Sequence, residues 1–402
     1  MTTTATGLLS LAFIASPALA IGGCPSSPSD LDGNCIDDAA QTVTVDDSAI
    51  DDAATIQSAI DATPAGEFRI IQLAAGTYNL PSGLQVLDQR VLLRGAGIGQ
   101  TILNGLPLPS GSSILRYGSE IELAGPGQPA YCGVQGITFS EGNYGSYLPN
   151  STANFVGGGV LFMNTSASIV ACRFQYCRSG NGGAAYVYKS RSDIRDSQFQ
   201  FNAAQNGVGG ILYFRSSGSV ANCLLNQNTA GEGSGAAFGA AGPRATGEGI
   251  LLKDCTVTQN KCFIEGSAVD WNWSSGTTTG TLTIDGCVIS GNRSGDPVVI
   301  GAGGLRSSGP STNCQVIDTQ ICNNTFSNLG GVVTLSGSSQ VCDCVGDINL
   351  DGIRNGADVG ILLGYWGDCG PNGGCSFADL DGSGAVDGAD LGMLLAGWGS
   401  CG

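Results

Sequence analysis

From about residue 51 onward, short runs of alternating apolar and polar residues are separated by glycine-rich breaks. A period of two sends every second side chain to one face, so the pattern predicts many brief strands. One of them recurs as Cys172-Arg173-Phe174, Ser197-Gln198-Phe199, Cys223-Leu224-Leu225, Cys255-Thr256-Val257, Cys287-Val288-Ile289 and Thr319-Gln320-Ile321. Three residues beyond each stand Cys177, Asn202, Asn228, Asn260, Asn292 and Asn324. A second strand opens with a small pair and carries an aromatic: Gly158-Gly159-Val160-Leu161-Phe162, Gly182-Gly183-Ala184-Ala185-Tyr186, Gly209-Gly210-Ile211-Leu212-Tyr213 and Ser234-Gly235-Ala236-Ala237-Phe238. Repeats of roughly 20–35 residues with two or three strands each imply coils stacked one on another. Propeller blades are longer and carry other signatures. The expected fold class is therefore mainly β, a parallel β-helix. Asn at the turn is expected to take the left-handed conformation and hydrogen-bond along the stack. Asp196, Asp254 and Asp318, each just before the recurring strand, read as turn caps.

Ahead of the repeats, Ala54, Ile56, Ala59 and Ile60 fall at near-helical spacing and Pro64-Ala65-Gly66 closes the segment. A short amphipathic helix before brief strands fits a solenoid with a capped end. The period changes again near the C-terminus. Asp347-Ile348-Asn349-Leu350-Asp351-Gly352-Ile353-Arg354-Asn355-Gly356-Ala357-Asp358 aligns with Asp379-Leu380-Asp381-Gly382-Ser383-Gly384-Ala385-Val386-Asp387-Gly388-Ala389-Asp390. Both loops place oxygen-bearing side chains at positions 1, 3, 5, 9 and 12, which is what a hard divalent cation requires, and the carbonyls of Ile353 and Ala385 supply position 7. The candidate ligands of two Ca2+ ions are thus Asp347, Asn349, Asp351, Ile353, Asn355 and Asp358, and Asp379, Asp381, Ser383, Ala385, Asp387 and Asp390. Val359, Leu362, Leu363 and Trp366 follow the first loop at helical spacing, and Leu391, Leu394, Leu395 and Trp398 follow the second.

Composition narrows the chemistry. The chain has 402 residues, 65 of them Gly and none His, and its net charge is −17. Histidine acid–base catalysis and histidine metal ligation are excluded, and nucleic acid is disfavoured as a partner. Gly7 to Ala20 is an apolar run too short to span a bilayer, ending in Ala18-Leu19-Ala20 as export signals do. Residues 1–20 are expected to be a signal peptide, with lipidation of Cys24 as the alternative. No later segment is long and apolar enough for a transmembrane anchor, so the protein is expected to be secreted or held at the cell surface. Residues 21–50, rich in Ser, Pro and Asp, read as a linker or disordered lead-in. The β-helix is assigned to 51–341 and the calcium module to 342–402. Sixteen Cys in an exported chain point to disulfides.

Two families share these motifs. Thr55-Ile56-Gln57-Ser58-Ala59-Ile60, Ala75-Gly76-Thr77-Tyr78 and Leu93-Arg94-Gly95-Ala96-Gly97 resemble the start of pectate-lyase-like right-handed β-helix proteins, over roughly residues 50–340. The duplicated loops, with Asp at position 12, resemble type I dockerins, EF-hand-like modules that calcium folds and that dock onto a cohesin. The resemblance implies a cohesin-like or cell-surface partner. It differs at loop positions 10 and 11, where Gly356-Ala357 and Gly388-Ala389 replace the Ser-Thr common in that family. If the helices pack as in dockerins, the start of one repeat lies beside the end of the other, which implies disulfides Cys344–Cys401 and Cys369–Cys375.

Family enzymes on the β-helix use a calcium-binding acid cluster with an Arg or Lys base, or paired carboxylates with a supporting His. No such pair stands out here. Two other features point to glycans. Tyr186, Tyr188, Lys189, Arg191, Arg195 and Arg215 concentrate scarce positive charge on neighbouring coils, suited to an acidic polysaccharide or simply a solvated face. Asp270-Trp271-Asn272-Trp273 interrupts the second strand's pattern and places both Trp on one face, either for stacking on sugars or for packing beneath a turn. The stacked Cys172, Cys223, Cys255 and Cys287 are either buried thiols or inter-coil pairs. The expected function is a polysaccharide- or surface-binding β-helix displayed through a calcium-dependent module; the alternative is a polysaccharide lyase or glycoside hydrolase.

Overall fold

The computed structural model describes residues 41–46, 52–64, 68–87, 89–109, 112–118, 132–142, 157–231, 235–243, 245, 247–263, 266–272, 280–294, 302–308, 313–324, 327–342, 346–349, 353–369, 375, 378–381 and 383–400. The export signal, Cys24, Trp273, Cys344, Asp351 and Cys401 lie outside these residues.

Among the described residues the chain winds through three long sheets of eleven, ten and nine strands, and every pairing within them is parallel. Each coil visits the nine-stranded sheet, then the eleven-stranded, then the ten-stranded. One turn of the helix is Ala185–Tyr188, Arg191–Arg195 and Gln198–Gln200; the next is Ile211–Phe214, Ser217–Ala221 and Leu224–Asn226. Tyr186 pairs with Leu212, Ile194 with Val220 and Phe199 with Leu225, so equivalent residues stack along the axis. This is a parallel β-helix. Its interior is a set of like-on-like columns: Phe139, Phe174 and Phe199 lie face to face at 4.6 and 5.0 Å, all fully buried.

The corner from the eleven-stranded to the ten-stranded sheet keeps one form. From the third coil on it is Gly136-Ile137, Ala171-Cys172, Asp196-Ser197, Asn222-Cys223, Asp254-Cys255, Gly286-Cys287 and Asp318-Thr319. The first residue of each pair has φ between 47° and 65°. That conformation is open to Gly, Asn and Asp at low cost, which is why these types predominate. The second residue points inward and is at most 3 % exposed. The Asp residues read as turn caps are thus the left-handed corner residues themselves. The connections on either side of the nine-stranded sheet vary instead, from the short Lys189-Ser190 to the long stretch between Ser290 and Leu305.

The Asn column is a continuous ladder, but its geometry differs from the sequence expectation. The left-handed residue is the one before each Asn: Phe201 (φ 57°), Gln227 (54°), Gln259 (57°), Gly291 (65°) and Asn323 (57°). The Asn itself turns inward, buried, and donates its amide to the next Asn Oδ1 at 3.0 Å (Asn202 to Asn228, Asn228 to Asn260) and 2.9 Å (Asn260 to Asn292, Asn292 to Asn324). Asn324 ends the series on Asn328 at 2.7 Å.

At the N-terminal end, helix α1 (Asp52–Asp61) buries Ile56 and Ile60 completely over the first coil. Gln57 and Gln85 exchange two hydrogen bonds at 2.9 Å, satisfying the backbone of the sheet's edge strand. The solenoid also starts earlier than residue 51. Gln41–Val45, a β-branched alternating run, pairs in parallel with Phe68–Leu73, so this part of the supposed lead-in is the first rung. At the other end a Cys322–Cys342 disulfide joins adjacent strands of the last coils across 4.5 Å between Cα atoms.

Helices α2 (Gly356–Gly364) and α3 (Gly388–Ala396) belong to the C-terminal module. Two short antiparallel ladders relate its halves: Ile353–Arg354 with Gly399–Ser400, and Gly367–Asp368 with Ala385–Val386. Each half therefore pairs its loop with the strand that follows the other half's helix.

Candidate functional site

The second loop of the module brings three carboxylates together. One oxygen from each of Asp379, Asp381 and Asp390 lies within 4.8 Å of the others, a spacing that suits a shared divalent cation. Asp390 is fully buried and organises the loop. It accepts hydrogen bonds from Leu380 N at 2.6 Å and Asp381 N at 3.1 Å on one oxygen, and from Asp387 N at 2.7 Å on the other. Burial raises its carboxyl, but the N–H groups of Asp387, Asp381 and Leu380 outweigh that and hold it below the usual carboxylate range. Asp379 accepts from Ser383 N at 3.0 Å and Gly384 N at 2.8 Å, and Gly384 makes the tight turn with φ 91°.

The first loop repeats this plan. Asp358, buried, accepts from Ile348 N at 2.7 Å, Asn349 N at 3.0 Å and Asn355 N at 2.8 Å. Asn355 and Asp387 cap the two helices, with their side chains accepting from Ala357 N and Ala389 N at 2.7 Å. The same residues thus start a helix and complete a loop. Position 7 of the second loop, Ala385, turns its carbonyl toward the Ser383 hydroxyl at 3.1 Å.

The crossed ladders place Cys369, just past α2, near Cys375, just before the second loop, and the two form a disulfide spanning 5.0 Å between Cα atoms. The module's core is Leu362, Ala378, Val386 and Leu394 together with Cys375. The helical stripes divide. Leu362 and Leu394 point inward, whereas Leu363, Trp366, Leu395 and Trp398 are each about half exposed, at 51, 50, 50 and 55 %. Exposed apolar side chains thus recur at equivalent positions of the module's two halves.

On the solenoid, Tyr188, Lys189 and Arg215 come together, along with one residue that sequence reasoning passed over, Phe214. Tyr188 stacks on Phe214 at 5.9 Å across neighbouring coils. The Lys189 ammonium lies 5.6 Å from the Tyr188 ring centre, and the Arg215 guanidinium 5.6 Å from that of Phe214. Lys189 and Arg215 both occupy left-handed corners, with φ 46° and 49°. The signal was present: Val187-Tyr188-Lys189 recurs as Tyr213-Phe214-Arg215 one coil later. Arg191 opens the following strand and is exposed.

Asp270 and Trp271 sit farther along the same sheet and do not join this group. Val269–Asn272 is in register with Phe238–Ala241 and Leu305–Ser308, so the motif continues the second strand rather than interrupting it. Register turns Trp271 into the core, fully buried, which rules out sugar stacking by that ring. Asp270 faces the other way but is only 1 % exposed, held by Arg306 through contacts of 2.6 and 3.3 Å. A buried carboxylate matched by a guanidinium is not a free acid for catalysis.

The stacked cysteines are thiols. Cys172, Cys223, Cys255 and Cys287 are buried free thiols, as are Cys177 and Cys314. Burial pushes the Cys172, Cys177, Cys262 and Cys314 thiols up to about 12, and raises Cys132 to about 11.

Compared with known proteins, the chain matches no protein family and none of the curated proteins. Among solved structures, it is similar to the A-module of the Azotobacter vinelandii mannuronan C-5 epimerase AlgE6, with 20 % identity over 71 % of each chain and a TM-score of 0.48. It is also similar to ORF18 of Geobacillus virus E2, at 13 % identity over 74 % of this chain and 60 % of that one, with a TM-score of 0.45. The Streptococcus pneumoniae surface protein and adhesin PfbA aligns with 74 % of this chain and 97 % of its own, at 12 % identity and a TM-score of 0.26. Among the described residues no helix is long and apolar enough to cross a membrane.

Proposed function

We propose that this is an exported, polysaccharide-binding β-helix protein displayed through a calcium-dependent, dockerin-type C-terminal module. The observation that carries the reading is the loop of Asp379, Asp381 and Asp390, repeated in plan by the loop around Asp358. Duplicated loops with hard oxygen donors and helix caps built from the same residues are what a pair of Ca2+ ions requires. Bound calcium would offset the repulsion among the loop carboxylates and fix α2 and α3. The exposed Leu363, Trp366, Leu395 and Trp398 would then be presented to a cohesin-like or cell-surface protein.

The solenoid is the displayed part. The basic and aromatic corner at Tyr188, Lys189, Phe214 and Arg215 supports a polysaccharide partner, because rings beside cations suit sugar faces and acidic substituents together. Binding rather than turnover is favoured because the one buried acid of the motif, Asp270, is matched by Arg306.

Calcium titration of the full chain, followed by tryptophan emission and calorimetry, tests the display module. Two equivalents bound, with a shift in Trp366 and Trp398 emission reversed by chelator, is the expected result. A flat calorimetric trace with calcium would sink the module reading, while polysaccharide retention is judged separately on immobilised glycans.

A further inference from the structure

We propose that the outer face of the ten-stranded sheet binds an uncharged, extended polysaccharide laid along the solenoid axis. This rests on the reading of the solenoid as polysaccharide-binding and names a face and a ligand class for it. Pairing puts the last residue of successive strands in one outward column, which includes Asn104, Gln175, Gln200, Asn226 and Thr258. With Asn79 at its start, this column carries amides and hydroxyls as far as Ser290 and ends on the Cys322–Cys342 disulfide. At the outward positions of these strands Arg173 is the sole charged side chain, and none is acidic, in a protein whose net charge is −17. A surface with a single counter-charge offers little to a polyanion. Carboxamides and hydroxyls each both donate and accept, as sugar hydroxyls do.

The margin of this face carries the second observation. Tyr176 and Phe201 stack at 5.3 Å on adjacent coils, 43 and 41 % exposed, and both hold φ near 56°. The equivalent corners use Glu141, Gln227, Gln259, Gly291 and Asn323. A bulky side chain in the left-handed region is unfavourable for an L residue, and an exposed ring gains little by burial in return. Keeping two such rings side by side points to a role outside folding. The rings form an apolar ridge beside the amide column, where the C–H face of a sugar would rest while its hydroxyls meet the amides. Because the pattern repeats once per coil, about every 4.8 Å, a polymer of repeating units aligned with the axis fits better than a single sugar.

The test uses the full chain with calcium on immobilised cellulose, mannan and β-glucan, alongside polygalacturonate and alginate. We expect retention on at least one uncharged glycan that persists in roughly 1 M salt. Tyr176→Asn with Phe201→Asn should lower that retention about tenfold or more. Since Asn suits these corners, thermal stability should be equal or higher, so lost binding would not reflect misfolding. Gln175→Ala with Gln200→Ala should weaken retention as well. Retention on polyuronates alone, abolished by Lys189→Ala with Arg215→Ala, would overturn the inference yet leave the polysaccharide reading standing. Unchanged retention in both sheet variants would also overturn it, and failure on every glycan would end both.

Discussion

Asn228 donates from its backbone N–H and from its side-chain amide to one atom, Oδ1 of Asn260, at 2.9 and 3.0 Å. Its second amide hydrogen goes to the Phe199 carbonyl at 2.8 Å, so a buried polar side chain has its donors and acceptor matched. Asn260 repeats this toward Asn292. Asn260→Ala would leave both Asn228 donors facing an empty site. We expect a loss of about 2–4 kcal/mol in urea unfolding, as two buried donors lose their acceptor. A change below about 0.5 kcal/mol would mean that the ladder contributes little.

The buried thiols set an alkaline limit. In the fold the Cys172, Cys177 and Cys314 thiols titrate near 12, against an ordinary value of 9.0. A raised pKa means the native state favours the protonated form. Its contribution is fully present below about pH 9 and is lost as pH rises toward 12. Native protein at pH 8 should therefore react only slowly with a thiol reagent, with rapid reaction appearing in denaturant. Fast modification of several thiols in the native state would contradict this burial.

In the proposed calcium module, Asp379→Ala should remove one of two calcium equivalents in calorimetry and leave the solenoid's unfolding transition in place. Asp390→Ala should do more, because it also releases the backbone N–H groups of Leu380, Asp381 and Asp387. Loss of α3 helicity by circular dichroism in Asp390→Ala, beyond that in Asp379→Ala, is the measurement that separates the two roles.

The two-fold plan of the module makes Cys344–Cys401 the expected counterpart of the Cys369–Cys375 bridge. Non-reducing peptide mapping should recover both pairs, whereas a Cys344–Cys369 peptide would rule out this connectivity.

Trp271 and its neighbour separate packing from binding. Trp271→Ala should cost about 3–5 kcal/mol through the cavity left among the coils. Asp270→Asn should also destabilise, by leaving Arg306 with a weaker partner, and both changes should show in thermal unfolding.

The strand rhythm was legible because like residues recur at like positions: the stacked Phe174 and Phe199, and the Asn from Asn202 to Asn324. Alternation alone did not say which face of Asp270-Trp271 was inside; that follows from register with Phe238 and Leu305, residues distant in sequence. The left-handed position slipped by one residue, from Asn202 to Phe201, because an exposed Phe is a poor advertisement for such a backbone. In the module the helical period found the apolar residues but not the divide between Leu362 and Leu363, which depends on where the second helix sits. Phe214 went unseen because its partner Tyr188 lies one coil away.

The constant corner between the eleven- and ten-stranded sheets has an implication for how such a chain can change. Register is set there, at Ala171-Cys172 or Asp254-Cys255, while lengths vary beside the nine-stranded sheet. Segments can be lengthened or replaced on those flanks without shifting a single rung elsewhere. A duplicated coil would add one more rung of the same height and leave the local contacts of the capping helix and the terminal disulfide unchanged. The molecule is in that sense an extensible ruler with interchangeable markings, open to variation in what it binds while its spacing stays fixed.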